Sequence, residues 1–333
     1  SSPSRGLGDV YKRQYLERIK MEKIGIVGAG LIGSSWSAIF SSKGFDVVIY
    51  DSNKNVENEF KKRVATFLEE LKFIDNKINI EDSLQNIKFV HDINYLSNNC
   101  TFIQDCSPEI VEIKQELFSK LDNSCPENVI LSSSSSGMPI SLITQNLKGK
   151  NRCIISHPVN PPHLIPCVEI SPSLNTSEGV INKTKDIFGK IGFSIVYVKK
   201  EIDGFILNRL QGALLNEAVK LYSEGYASAD HIDSTVRNGL GLRWAFMGPF
   251  ETIDLNAPGG IKDYMQRYGN MYLNMEKNNK ILPDWSETNA IKLEKERREI
   301  LSTDQLLKRA QKRNNMLKSL RKLKKDLNEE VIN

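Results

Sequence analysis

The sequence predicts an α/β domain that ends near residue 200, followed by an all-α domain. Three observations carry that expectation. A strand, a glycine turn, a helix and a second strand follow one another within residues 23–51. Apolar strands and amphipathic helices then alternate as far as residue 198. From Asp203 onward the strand pattern stops and only helical periods remain.

The elements can be taken in order. Residues 23–27 are a short β-branched apolar run that leads at once into Gly28-Ala29-Gly30-Leu31-Ile32-Gly33. Trp36, Ile39 and Phe40 mark the helix behind the turn, and residues 47–51 read as a buried strand. Val56, Phe60, Val64, Phe67, Leu68 and Leu71 give residues 54–73 one apolar helical face. Strands are expected over 87–90, 101–104 and 129–131, with a helix over 110–121 between the last two. Residues 152–156 and 167–170 suggest two strands joined by a proline-rich loop, and 195–198 a last strand after a helix over 177–191. Helices are expected over 204–224, 230–238, 249–256, 258–268 and 303–327. The domain division is thus a leader over 1–20, an α/β domain over 21–200 and a helical domain over 201–333.

The first βαβ unit carries a G-x-G-x-x-G pattern fed by a strand and left by a helix, the setting that makes it a Rossmann-type dinucleotide fingerprint. Gly28 suits the tight turn, Gly30 a backbone that must approach a pyrophosphate, and Gly33 close helix–strand packing. The helix N-terminus adds N–H donors and partial positive charge. Asp51 closes the second strand, where a carboxylate can accept from both hydroxyls of an adenine ribose and would repel a 2′-phosphate. NAD is therefore the expected cofactor over NADP, with Lys54 near enough to soften the preference.

His157 and Glu169 fall at the facing ends of the two strands closed by the proline-rich loop. A carboxylate on one imidazole nitrogen fixes the tautomer and raises the basicity of the other, which makes a general base near neutral pH. A buried histidine held by a structural carboxylate accounts for the same spacing. His163, on the loop, reads as a loop-packing residue. Ser132 to Ser136 follow an apolar strand, where one hydroxyl could bind a substrate oxygen; alone they make a polar turn. Asn208, at the start of the first long helix of the second domain, offers an amide donor or simply opens the helix. Arg243, in Gly241-Leu242-Arg243-Trp244, suits a substrate carboxylate through two parallel bonds and equally an interface or a helix cap.

The 333 residues are 40% hydrophobic, 8% aromatic and 26% charged, which excludes collagen-like, low-complexity and disulfide-scaffold chains. No apolar run approaches the length of a membrane span. The formal charge of +4 divides unevenly: residues 1–20 hold +3, residues 291–333 hold +6, and the body between them −5. Residues 1–14 show no signal-peptide pattern and are expected to be non-native or disordered, with Met21 as the natural start. The basic terminal stretch interleaves Leu306, Leu307, Leu317, Leu320 and Leu323, as an amphipathic helix docked on the body or on a partner does. It lacks the aromatics that stack on bases, so no nucleic-acid partner is expected. The five cysteines include no C-x-x-C pair, and with four histidines lacking ligand spacing they suggest free thiols in a cytoplasmic protein and no metal.

Taken together, SSSSSGMP, HPVNPPHLIPCVE, DGFILNRLQ and GLGLRWAFMGPFETIDLNAPGG resemble the 3-hydroxyacyl-CoA dehydrogenase superfamily. Within it they look most like the λ-crystallin branch, whose enzymatic member is L-gulonate 3-dehydrogenase. The resemblance runs from about residue 21 to beyond 320. It implies a Rossmann-type NAD domain, a helical domain like the C-terminal domain of 6-phosphogluconate dehydrogenase, and a homodimer. It also implies that His157 is the base taking the 3-hydroxyl proton, that Glu169 orients it, and that Ser136 and Asn208 hold the reacting oxygen. Ser135 is the alternative to Ser136, because register within the serine run is open. Leu31, Ile32, Asp51, Glu109 and Lys114 fall where the branch holds NAD; by composition alone Lys114 is one more exposed helix lysine. The substrate implied is a small hydroxy acid, or an acyl-CoA if Lys61, Lys62 and Arg63 meet a CoA moiety and are not just a solvated face. A non-catalytic, crystallin-like role is the reading from another class.

Overall fold

A computed structural model describes residues 22–278 and 281–327; the leader over 1–20 lies outside them. In chain order the first unit contains β1 (Lys23–Val27), α1 (Leu31–Ser42), β2 (Asp46–Tyr50), α2 (Glu57–Ile74), α3 (Ile80–Gln85) and β3 (Ile87–Val90). Then come α4 (Ile93–Asn99), β4 (Phe102–Asp105), α5 (Val111–Ser124), β5 (Ile130–Ser133), α6 (Ile140–Ile143) and β6 (Cys153–Pro158). β7 (Cys167–Pro172), α7 (Glu178–Lys190) and β8 (Ser194–Tyr197) complete the sheet. The later helices are α8 (Leu207–Ser223), α9 (Ala229–Thr235), α10 (Gly241–Trp244), α11 (Pro249–Asp254), α12 (Gly260–Asn278), α13 (Glu287–Ile300) and α14 (Leu306–Asp326).

The eight strands form one sheet in the order β3-β2-β1-β4-β5-β6-β7-β8. β1 to β6 run parallel, while β7 pairs antiparallel with β6 and parallel with β8. Strand order reverses between β1 and β4, which opens a crevice at the carboxyl ends of the strands. The central strands are buried on both faces, as a parallel sheet requires. On one face Trp36, Phe40 and Phe188 pack with Phe60, Phe67 and Phe193 from α1, α2, α7 and the strand lead-in. On the other, Leu96, Phe118, Leu121 and Ile140 from α4, α5 and α6 cover Ile103, Leu131 and Ile155. Burial of this apolar area is the main stabilising term.

By contact, residues 22–209 join residues 313–327 in one compact unit, and residues 210–312 form a second. A single helical domain over 201–333 therefore does not describe the terminal helix, whose second half lies with the α/β unit. Its docking is also less apolar than its leucines suggest. No residue of α14 is buried, and Leu307 is 81% exposed. Instead Arg321 donates to the His163 carbonyl at 2.6 Å, Lys325 pairs with Asp75 at 3.3 Å, and Lys318 and Lys322 lie over the Phe73 ring. Polar bonds and cation–π contacts take the place of inserted leucines.

Several helices escape the sequence pattern. α3, α4 and α6 have only 6, 7 and 4 residues, too few for a period to show. α13 is 14 residues long but strongly polar. Helix 258–268 continues to Asn278. No helix among the described residues is long and apolar enough to cross a membrane.

Candidate active site

The glycine turn is built by steric exclusion. Gly28 has φ +102°, and a Cβ there would stand 2.6 Å from the Cys106 carbonyl oxygen. A Cβ on Gly33 would meet the Gly28 carbonyl oxygen at 1.8 Å. Gly30 differs, because a Cβ on it would meet nothing within 4 Å. The space over Gly30 is thus open, at the start of α1. The first α1 turn closes with Ser34 N–H donating to the Gly30 carbonyl at 2.9 Å. The amides of Leu31, Ile32 and Gly33 precede that bond and are the free donors of a helix start. Asp51 stands beside them: its carboxylate accepts the Ala29 N–H at 2.7 Å and the Asn53 N–H at 2.8 Å. An open cradle, free amides and an adjacent carboxylate fit the pyrophosphate and ribose of NAD.

Arg63 was expected among a run of solvated helix cations. It donates instead to the Ala29 carbonyl at 3.0 Å and to Ser34 Oγ at 3.1 Å, while also pairing with Glu59. It braces α2 against the glycine turn. Only its place on α2, one helix beyond the motif, hinted at this.

Across the switch point, Lys114 departs most from expectation. It is 1% exposed and donates to Asp105 Oδ2 at 2.7 Å and to the Ser107 carbonyl at 3.2 Å. Glu109 lies 3.7 Å away. Asp105 is fully buried and also accepts from Ser133 Oγ at 2.7 Å. A lysine survives burial only with such a partner. Asp105 was not singled out from sequence; its position four residues before Glu109, at the end of a strand, was the available signal.

Glu109 organises the serine run. Its Oε1 accepts from Ser135 Oγ at 2.6 Å and from the Ser136 and Gly137 amides at 2.8 and 3.3 Å. Ser134 Oγ receives Gln104 and Trp36 donors at 2.7 and 3.2 Å. Ser135 is buried, its hydroxyl committed to Glu109 and to the Met138 amide. Ser136 is exposed, and its hydroxyl has no protein partner among the described residues. Asn208 Nδ2 donates to the Ser136 carbonyl. The structure therefore brings Ser136, Asn208, Glu109 and Lys114 together.

His157 and Glu169 are direct partners in the β6–β7 register, and their side chains meet, Nδ1 to Oε2, at 2.9 Å. The reversal of β7 is what places the end of one strand beside the start of the next. The other carboxylate oxygen accepts the Ile206 and Leu207 amides, each at 2.9 Å, at the start of α8. Gly204 at φ +74° and Phe205 at φ +50° turn the chain so that these amides point at Glu169. Burial pushes the Glu169 carboxyl up, but the hydrogen bonds from His157, Leu207 and Ile206 outweigh it and hold the group below its ordinary range. An ionised carboxylate only accepts, so Nδ1 carries a proton, and in the neutral ring Nε2 presents its lone pair. That nitrogen has no protein partner among the described residues.

His163 makes the contrast. It is 1% exposed, with Nε2 2.7 Å from Glu70 Oε2 and Nδ1 3.1 Å from Ser35 Oγ. Both nitrogens are used, so it has no lone pair to offer. Cys106, beside the crevice, is no nucleophile either: burial pushes its thiol up to about 12. Arg243 lies on α10 in the second unit, with its side chain exposed. Among the described residues no cluster of three or more metal-ligating side chains occurs.

Residues 23–202 match the 3-hydroxyacyl-CoA dehydrogenase NAD-binding domain, and residues 204–298 the C-terminal domain of the same family. λ-Crystallin of Oryctolagus cuniculus is 36% identical over 91% of this chain and 96% of its own. L-Carnitine dehydrogenase of Pseudomonas putida is 36% identical over 73% of this chain and 75% of its own. The solved structure of an NAD-dependent pyridine-carboxylate 5-dehydrogenase superposes with a TM-score of 0.78 at 24% identity, covering 91% of this chain and 98% of that one. The fold and the glycine turn define an NAD-binding dehydrogenase. The chain belongs to the 3-hydroxyacyl-CoA dehydrogenase family and is an NAD-dependent oxidoreductase.

Proposed function

We propose that this protein oxidises the 3-hydroxyl of a free hydroxy acid to a 3-keto acid, in the manner of L-gulonate 3-dehydrogenase. The observation that carries the chemistry is the His157–Glu169 pair, with Nδ1 held at 2.9 Å and Nε2 unengaged. His157 Nε2 takes the hydroxyl proton as the C–H bond breaks, a role that typically contributes about 10²–10⁴ in rate. Glu169 keeps the imidazole in the needed tautomer and stabilises the imidazolium that forms. Bound NAD supplies the hydride acceptor. Ser136 Oγ and Asn208 Nδ2 bind the reacting oxygen, with Ser136 favoured over Ser135 because the latter's hydroxyl is already committed. Gly28, Gly30, Leu31, Ile32 and Gly33 hold the pyrophosphate and Asp51 the ribose. Lys114 and Glu109 support the cofactor from the far side of the switch point. Arg243 grips the substrate carboxylate.

A free acid is favoured over a CoA thioester by the state of the α2 cations. Lys61 pairs with Glu57 at 2.6 Å, and Arg63 is tied to Glu59 and the glycine turn. Of Lys61, Lys62 and Arg63, only Lys62 has a side chain without a partner among the described residues, so one free cation is left there for CoA phosphates. A panel of L-gulonate, L-carnitine and 3-hydroxybutyrate with NAD, and of acetoacetyl-CoA with NADH for the reverse direction, tests this directly. Turnover of gulonate or another free acid is expected; strong turnover of acetoacetyl-CoA alone would transfer the assignment to a 3-hydroxyacyl-CoA dehydrogenase. No turnover of any of them, with NAD still bound, would favour the crystallin-like role. The protein works as a homodimer through its second unit, where Phe250 and Leu255 are 75% and 66% exposed. Its five free thiols suit a cytoplasmic setting.

A further inference from the structure

The loop between the His157 and Glu169 strands is held by a second histidine–glutamate pair that the proposed chemistry does not use. We infer that His163 is a positioning residue, tying the hairpin that carries His157 and Glu169 to the helix that starts at the glycine turn. This rests on the reading of His157 as the base.

The contacts all converge on one buried side chain. Burial pushes the His163 imidazole down, and nearby Arg321 and Lys318 act the same way, against the raising effect of Glu70. A neutral ring has one donor and one acceptor nitrogen. Glu70 can only accept, so the proton sits on Nε2, and Ser35 Oγ–H donates to Nδ1. Every polar atom of the ring is therefore satisfied in one tautomer only. The ring also stacks on Phe67 at 3.9 Å between centroids.

These partners come from different places. Ser35 is on α1, two residues beyond Gly33. Phe67 and Glu70 are on α2, which Arg63 braces against the same glycine turn. The His163 backbone carbonyl takes the Arg321 guanidinium from α14. His163 lies six positions after His157 and six before Glu169, so the joint grips the hairpin at its middle. Hydride transfer needs the base and the acceptor at a fixed separation, and an error of about 1 Å can cost on the order of 10² in rate. A hairpin free to shift against α1 lets that separation drift. The joint refers both to one frame.

The test compares His163→Leu, His163→Gln and Glu70→Gln in the full chain. The first readout needs no substrate: the downfield proton resonance of the His157 Nδ1–H, identified by its loss in His157→Asn. His163→Leu is expected to shift or broaden it, and His163→Gln, which can still bridge Ser35 and Glu70, to restore it. Glu70→Gln carries the reading if His163→Leu does not fold, and is expected to shift the resonance partway. In turnover with whichever acid of the panel reacts, kcat is expected to fall about tenfold or more in His163→Leu while the NAD dissociation constant stays within about twofold. An unmoved resonance in both His163→Leu and Glu70→Gln, or in Glu70→Gln alone if the leucine variant is unfolded, overturns the inference. A moved resonance with no turnover of any acid leaves the joint standing and removes the catalytic reading.

Discussion

His157 and His163 show how identical side chains six residues apart acquire opposite uses. Each meets a glutamate, but His157 does so through Nδ1 and His163 through Nε2. Only the first keeps a free lone pair. His157→Asn should therefore lower kcat by about 10²–10⁴ with NAD binding unchanged within a factor of two, checked by steady-state kinetics beside fluorescence titration. Wild-type turnover in that variant would sink the assignment. Glu169 also leaves a mark on stability. Its carboxyl is held below the ordinary 4.5 by its hydrogen bonds, which outweigh burial. The contribution is present in full above that ordinary value and is lost as pH falls through the lowered one. Glu169→Gln should flatten the acid-side decline of the unfolding midpoint; an unchanged slope would contradict it. Lys114→Met leaves Asp105 buried without its cation, and a loss of about 3–5 kcal/mol is expected in denaturant unfolding.

At the scale of an element, the glycine turn separates folding from binding. Gly33→Ala forces a methyl against a backbone oxygen at 1.8 Å, so the thermal midpoint should drop and the soluble yield with it. Gly30→Ala meets open space and should unfold at the parent temperature. Its methyl nonetheless enters the place a pyrophosphate would take, and NAD affinity should weaken by about tenfold or more. Equal behaviour of the two variants in both measurements would refute this division of roles. The antiparallel turn-back of β7 is the second element that matters. A parallel β7 would have started at the opposite edge of the sheet and carried Glu169 away from His157. The loop at Gly204 and Phe205 completes the arrangement, at a backbone cost of about 1–3 kcal/mol for the left-handed phenylalanine.

For the whole molecule, the load of exposed apolar side chains on the second unit argues for association. Light scattering should report about twice the 37.7 kDa chain mass, and Phe250→Glu with Leu255→Glu should shift the population toward monomer. A monomeric wild type at micromolar concentration would count against the dimer. The charge division has a structural counterpart as well. The basic end of the chain is spent on the body: Arg321, Lys325, Lys318 and Lys322 all meet α2, its C-terminal end or the His163 loop. That part of the basic excess thus has a use inside the molecule.

What the sequence determined by itself was everything written in local patterns. Strand, glycine turn and helix were legible because sterics dictate glycine where a Cβ cannot fit. The sheet strands showed as apolar runs, and the long helices as periods of 3.6. The His–Glu spacing across a proline-rich loop named both partners. Tertiary structure decided what depends on residues far apart in the chain. It buried Lys114 against Asp105, turned Arg63 onto the glycine turn, committed Ser135 while leaving Ser136 open, and used up both nitrogens of His163. It also returned the terminal helix to the first unit through cations where leucines had been expected. Each of these rests on where a side chain's partner lies in space, and burial and hydrogen-bond satisfaction, unlike periodicity, are not properties of a segment read alone.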